Sequence, residues 1–355
     1  MKHNLLKAFT FLITLTLIFQ ACKKGGADEP TQLDQSSFDI YAAGREGYVA
    51  KYWKNGNAVI LGSGSGASDA NAMAISGNDV HIVGSEINPA GTYVAKYWKN
   101  GIATSLTDGS RDAFANDVFI QGNDVYIAGQ EMAPGKSTYQ AKYWKNGTPA
   151  ILTDGNQQAI ATGIALIGND VYVIGERRNL DWLNSITSYW KNGQLFDLAD
   201  RSVAAADQAI TVSGSDLYLL WSETYNNSGQ SQTRYSKNLG TPTLINDGTP
   251  DVTGNSITVN GNDVYVAGYG TGNGSNVIMA KYWKNGLPVV LSTGPESAFG
   301  FSIAVSGTDV YVGGSRDGGA NGGSGTAQYW KNGTVVSLSN GSQSALIRKI
   351  IVVKK

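Results

Sequence analysis

Tyr97-Trp98-Lys99-Asn100-Gly101 is one of six identical pentapeptides in this chain, which end at Gly56, Gly101, Gly147, Gly193, Gly286 and Gly333. A seventh, altered copy reads Tyr235-Ser236-Lys237-Asn238-Leu239-Gly240. With Ser236 standing at the Trp position, successive copies are 45, 46, 46, 46, 47 and 47 residues apart. A period that steady marks one supersecondary unit copied seven times.

The second unit shows what is copied. Ala72 to Ser76 alternates as a strand, and Gly77-Asn78 supplies a turn. Asp79 to Val83 is a second predicted strand, ended by Gly84, and Tyr93 to Lys99 a third. Asn100-Gly101 suits a type I′ hairpin, which needs positive φ at both central residues. Ile102 to Thr107 is the fourth strand, and no helical period competes. Seven such units predict an all-β fold, a seven-bladed β-propeller of four-stranded antiparallel blades. The first unit opens at Phe38-Asp39-Ile40, which matches a second strand, whereas Ile350 and Val352 match Ile303 and Val305 of a first strand. The C-terminal strand is therefore expected to pair into the N-terminal blade and close the ring. Neither the Gly-His…Trp-Asp pair of WD40 blades nor the Gly-Gly doublet of kelch blades is present. On its Asp-Val-Tyr-Val-Ala-Gly and Tyr-Trp-Lys-Asn-Gly motifs the chain resembles bacterial lipoproteins with propeller repeats, a resemblance that implies no defined activity.

The N-terminus reads as a targeting segment. Lys2, His3 and Lys7 precede an apolar run from Ala8 to Phe19, too short to span a bilayer, which ends at Gln20-Ala21-Cys22. Cys22 is the only cysteine, so no disulfide framework forms. Its setting resembles the lipobox of bacterial lipoproteins, with Phe19 where leucine is usual. That resemblance implies cleavage of residues 1–21 and acylation of Cys22, and Lys23, not being aspartate, implies the outer membrane. Residues 22–37 are polar and read as a flexible tether, leaving 38–355 for the propeller.

Removing residues 1–21 takes away two lysines and no acids, leaving 25 basic against 28 acidic residues and a net charge of −3. No basic block exists, so nucleic acid is not an expected partner. His81 is the only histidine beyond the leader. That leaves little for a Ser-His-Asp triad or a His-rich metal site, and neither metal nor cofactor is expected. Glycine-rich stretches such as Gly313 to Gly325 lack the lysine and the following helix of a phosphate loop.

Several repeated residues imitate a site. The Tyr/Trp pairs suit packing between blades. The lysines before each Asn-Gly turn suit a solubilising ring, and the aspartates opening each second strand (Asp39, Asp79, Asp124, Asp170, Asp216, Asp263 and Asp309) suit turns. His81 stands where most units have tyrosine and reads as a packing variant. Two residues beyond the second-strand glycine position lie Glu46, Glu86, Glu131, Arg177, Glu223, Gly270 and Arg316. Four carboxylates on one rim could bind a cation or flank a glycosidic bond, with solvated loop ends as the plainer reading.

Length variation points to one face. From each Trp position to the next second-strand Asp the distance is 26 residues, with a single 27. From the second-strand glycine position to the Trp position it is 9, 14, 15, 15, 15, 15 and 16. The loop between strands two and three therefore varies, on the face opposite the Asn-Gly turns. There Arg177, Arg178 and Trp182 of blade four and Trp221 and Tyr225 of blade five offer aromatics beside hydrogen-bonding groups for a glycan or protein ligand. Asp117 is a lone carboxylate on a first strand, where other units carry Ala72, Gly163, Ala209, Ser256, Ser302 and Lys349. It is a candidate acid or a partner for Lys349. The preferred expectation is a monomeric, non-catalytic surface lipoprotein that binds a ligand on its variable face. The alternatives are a polysaccharide-acting enzyme using Asp117, Glu131 and Glu176, and a structural subunit of an outer-membrane complex.

Overall fold

The computed structural model describes residues 37–64, 66–178, 185–198, 203–225, 230–246, 248–249, 251–272, 277–318 and 323–355, with the backbone alone at 203–207, 224–225, 230, 318 and 323–324. The leader, Cys22, nearly all of the tether, and Trp182 lie outside them. The described residues form seven four-stranded antiparallel sheets and no helix. In blades two to seven the strands follow chain order, and the first strand of each blade packs beside the first strand of the next. These inner strands surround a central channel whose wall takes residues from all seven blades.

Closure follows the expected pattern. The strand Ala345–Lys354 pairs antiparallel with Phe38–Glu46, which pairs in turn with Val49–Lys54, and that with Asn57–Ile60. The C-terminal strand is thus the innermost strand of the N-terminal blade, opposing Ile350 to Ala42 and Val352 to Ile40.

The strands differ from the sequence pattern in length. In blade two they are Ser68–Ser76, Asp79–Ile87, Tyr93–Lys99 and Ile102–Ser105. The first is longer than expected and the fourth shorter. The second does not stop at Gly84 but runs through it. Gly84 faces a β-bulge in the first strand: pairing jumps from Ala70 to Ala72 and skips Asn71. A Cβ on Gly84 would overlap the carbonyl oxygen of Asp69, so the glycine is there for close backbone approach and not as a terminator. Gly129 has the same role in blade three, where its face also receives the Trp144 ring, 2.9 Å from where a Cβ would sit.

The repeat motif is structural in every blade. Asn100 has φ 53° and Gly101 φ 85°, the type I′ geometry expected. Asn100 Nδ2 donates to Asp79 Oδ1 at 2.8 Å, and its Oδ1 accepts from the Val80 amide at 2.8 Å. Lys99 Nζ lies 2.7 Å from Asp79 Oδ2. The same Asp–Lys pair and Asn bridge recur in all seven blades. The aspartates therefore hold a lysine and an asparagine side chain and not backbone donors, and the lysines are spoken for. In six blades that lysine also sits over the second-strand tyrosine, as Lys145 does 5.1 Å from the centroid of Tyr126. In blade two His81 replaces that tyrosine. Its Nδ1 meets Tyr97 Oη at 2.6 Å, and burial together with Lys99 holds its pKa below the ordinary value.

Each repeat tryptophan fills the seam toward the preceding blade. Trp98 packs on Tyr41, Ala43 and Ala50 of blade one, and Trp190 on Ala128 and Ala141 of blade three. Blade five lacks this residue, and Ser236 is buried in its place. Its seam is filled from the neighbouring strand instead. Trp221, at the glycine position of strand two, is 1% exposed and packs on Ile174 and Tyr189 of blade four. Gly→Trp and Trp→Ser are thus the two halves of one exchange, and Trp221 is a core residue and not the exposed ligand contact that its sequence position suggested. The bulge responds: pairing now jumps from Ala206 to Gln208, so Asp207 is skipped and Gln208 faces Trp221. The turn of blade five also departs from the pattern, with Leu239 held at φ 59°.

Two outcomes follow from this packing. Deleting residues 342–355 should lower the melting temperature by roughly 10 °C or abolish cooperative unfolding, because it strips a central strand from a blade. Trp221→Gly should cost about 3–5 kcal/mol, and adding Ser236→Trp should restore most of it. Urea denaturation of the two single variants and the double variant measures that coupling, and additive losses would refute the exchange.

Candidate ligand site at the channel mouth

In six blades the skipped residue of the bulge is turned away from the regular alternation, and in the inner strands that direction is the channel. Asn71, Asn116, Thr162, Asn255, Phe301 and Arg348 occupy this position; in blade five the skipped residue is Asp207, and it is the paired Gln208 after it that lines the channel. All seven line the channel. The asparagines also lace blades together: Asn71 Nδ2 donates to Ala115 O at 3.0 Å, Asn116 to Ala161 O at 2.8 Å, and Asn255 to Gly300 O at 2.7 Å.

One residue deeper lies the row that contains Asp117. Its Oδ2 accepts from the Ile164 amide of the next blade at 3.0 Å, as Ser302 Oγ accepts from Ile350 at 3.1 Å. Asp117 therefore has a seam-bridging role that serine performs elsewhere. Burial pushes its pKa up, against the opposing pull of Lys349 and the Ile164 and Val118 amides. Lys349 lines the same narrow part of the channel, so the two do share one space.

The rim acids prove to be ion-paired, and Glu86, Glu131 and Glu223 are buried rather than solvated loop ends, because the second strand extends to carry them. Glu46 meets Lys51 at 2.5 Å, Glu86 meets Lys96 at 3.5 Å, and Glu223 meets Arg234 at 3.3 Å. Glu131 lies 2.5 Å from Lys142 and 2.9 Å from Arg111, held between two cations. In blade four the charges are reversed: Arg177 pairs with Asp197 at 2.5 Å and donates to Ser188 Oγ. Arg177 is thereby engaged within its own sheet. Trp221 Nε1 donates to Glu223 Oε1 at 2.8 Å, adding a polar anchor to its buried ring. Tyr225 ends the second strand of blade five, and its side chain is not among those described.

Two of the sequence candidates reach the channel mouth. Glu176 and Arg178, paired at 2.8 Å, line a cavity of about 450 Å³ together with Ile160, Tyr269, Phe301 and the bulge residues Asn71, Thr162, Asn255 and Arg348, with Gln208 beside them. This lies within the roughly 300–1,000 Å³ range of small-molecule sites. Below it the channel narrows to a space of about 110 Å³ that shares six wall residues with the mouth. Phe301 stacks on Phe299 at 6.0 Å with planes 2° apart, and Tyr269 meets Phe299 edge-on at 5.1 Å. The mouth thus joins two half-buried aromatic rings to amides, a hydroxyl, a carboxylate and guanidinium groups. Gln208 is 8% exposed; its Oε1 accepts from Thr162 Oγ1 at 3.3 Å, and its buried Nε2 has no protein acceptor. Among the described residues no group of three His, Cys, Asp or Glu side chains is placed to share a metal.

Sequence reading did not reach Asn71, Gln208, Asn255, Tyr269, Phe301 or Arg348. A signal was present: polar residues directly before the Asp117 row, on strands whose alternation should bury them, betray a bulge.

No protein-family model matches this sequence, and no curated protein is similar to it in sequence. Solved structures share the fold. A puromycin-hydrolysing peptidase of Mycobacterium tuberculosis superposes with a TM-score of 0.52 at 12% identity over 77% of this chain and 47% of its own. An acylaminoacyl peptidase in complex with Z-Gly-Gly-Phe-chloromethyl ketone gives 0.52 at 11% identity over 88% and 52%. The β-propeller domain of the Trilobed protease from Pyrococcus furiosus, described as having an open velcro topology, gives 0.50 at 11% identity over 86% and 99%. The chain spans about half the length of the first two. At these identities the likeness is one of fold, and the paired terminal strands give this ring a closed seam.

The raised pKa of Asp117 sets a pH dependence. Between the unfolded value of about 3.9 and the higher folded value, the native state binds more protons than the unfolded state, so stability falls as pH rises through that window. Asp117→Asn keeps an acceptor for Ile164 and removes the titration. Its stability relative to the parent should therefore improve from pH 4 to pH 7 in denaturant titrations, and a pH-independent difference would contradict the shift.

Proposed function

We propose that this protein is a non-catalytic binding propeller that takes a carbohydrate at the mouth of its central channel, displayed at the bacterial outer membrane through acylated Cys22. The observation that carries the reading is the pairing of Phe301 and Tyr269 with the polar ring of the mouth in one cavity. A sugar ring offers an apolar C–H face and a rim of hydroxyls. The first matches an aromatic platform, and the second matches amides, a hydroxyl and a carboxylate–guanidinium pair, each able to donate or accept. A rigid frame holds these groups: asparagines of the ring are hydrogen-bonded to neighbouring blades, so little ordering remains for binding to supply. Asp117 and Glu131 have structural partners, and Glu176 is engaged by Arg178, which supports binding over acid–base turnover.

Full-length protein screened by calorimetry against soluble oligosaccharides should bind at least one of them. Phe301→Ala and Tyr269→Ala should each weaken that binding about tenfold or more, with unfolding transitions close to the parent's. Undiminished binding in both variants would move the site elsewhere, and retention of a cell-envelope protein with no glycan bound would replace the sugar by a protein ligand.

A further inference from the structure

We infer that the channel mouth selects a sugar bearing an acetamido group, with Gln208 as the residue that recognises it; this rests on the carbohydrate reading above.

The first ground is a donor without an acceptor. Gln208 is 8% exposed and lines both the mouth and the narrow space below it. Its Oε1 is held by Thr162, and its buried Nε2 has no protein acceptor. The asparagines of the ring avoid that state by donating to a carbonyl of the next blade: Asn71 to Ala115, Asn116 to Ala161 and Asn255 to Gly300. The matching carbonyl beyond blade five is that of Gly254, and Ser222 Oγ of blade five already donates to it at 3.4 Å. Ser222 Oγ also accepts from the Gly254 amide at 3.2 Å. This seam is thus laced without Gln208, which is left to face the channel. A donor buried without an acceptor is costly unless a ligand oxygen satisfies it.

The second ground is the group beside it. Asn255 of blade six lines the same two spaces. Its Nδ2 is committed to Gly300 O at 2.7 Å, so the end of its amide turned away from that seam is the acceptor Oδ1. The wall therefore offers a donor from one blade and an acceptor from the next. The two inner strands belong to different sheets, so no ladder draws these groups together. A ligand that meets them with two separate atoms, one accepting and one donating, suits them better than a single hydroxyl. The C=O and N–H of a secondary amide are such a pair.

The third ground is what lies beneath. After Gln208 the strand continues into Ala209 and Ile210, which line the narrow space of about 110 Å³ together with Ile257 of blade six. Ser256, beside Ile257, turns its Oγ to the Ile303 amide of the next blade at 3.4 Å. Apolar wall is therefore at hand on this side of the passage. An acetyl methyl has surface to bury against it, and a hydroxyl has none. The sugar ring itself stays above, in the mouth of about 450 Å³ with Phe301 and Tyr269.

The test uses full-length protein and neutral disaccharides matched except for acetamido in place of hydroxyl: N-acetyllactosamine against lactose, and N,N′-diacetylchitobiose against cellobiose. Calorimetry should show at least one acetamido sugar binding about tenfold or more tighter than its hydroxyl counterpart. Gln208→Met keeps the length of the side chain and removes the donor, and it should bring the two affinities of that pair to within about twofold of each other. In urea the unliganded Gln208→Met protein should be at least as stable as the parent, since it no longer buries an unmatched donor. A lower midpoint would show that Gln208 serves the fold, and would overturn the recognition role. Equal affinity within both pairs in the parent, or a preference that survives Gln208→Met, would overturn acetamido selection and leave the carbohydrate reading intact. Binding confined to sugars without an acetamido group would do the same. Failure of every oligosaccharide, with and without acetamido groups, would sink both together.

Discussion

The contact on which the rest of this molecule depends is the approach of a first-strand carbonyl to the second-strand backbone, as Asp69 approaches Gly84. Two backbones can come that close only where one of them lacks a Cβ, and the bulge opposite keeps the ladder intact around the extra residue. In six of the seven blades the bulge turns its skipped residue into the channel, and in blade five Gln208 takes that place. Regular alternation would have placed those residues between blades. Much of the lining of the channel mouth is thus a by-product of how the inner strands bend, and its residues sit on strands rather than on loops.

Most of the fold was legible in the sequence. The Trp period counted the blades, Asn-Gly placed the outer hairpins, and the phase of Ile350 and Val352 foretold closure. The bulge was not legible, because a skipped residue disrupts the two-residue period that reveals strands. Gly84 was read as a stop for the same reason: glycine weakens a strand in general, and only the position of a neighbouring carbonyl tells a terminator from a close contact.

The site was legible only in outline. Of the residues that the sequence singled out, Glu176 and Arg178 line the mouth, whereas Trp221 is buried and Arg177 is held by Asp197. Both placements have one cause. Departure from a repeat was read as freedom from structural duty, whereas here the departures answer one another. Trp221 stands in for the indole that Ser236 no longer provides, and Arg177 pairs with Asp197 of the fourth strand where three other blades pair a glutamate with a third-strand lysine. Phe301, Tyr269 and Arg348 were passed over because isolated aromatic and basic residues on inner strands look like ordinary wall.

The exchange between Gly and Trp in blade five also bears on how such a chain can be reshuffled. In the other six units the indole and its glycine platform belong to one scheme, so strands from different blades could recombine and still leave each seam with one indole. Blade five breaks that interchangeability. A crossover between its second and third strands would give one product with two indoles in a seam built for one, and another with none. Its middle hairpin must therefore be exchanged whole, a constraint that the other six units do not carry.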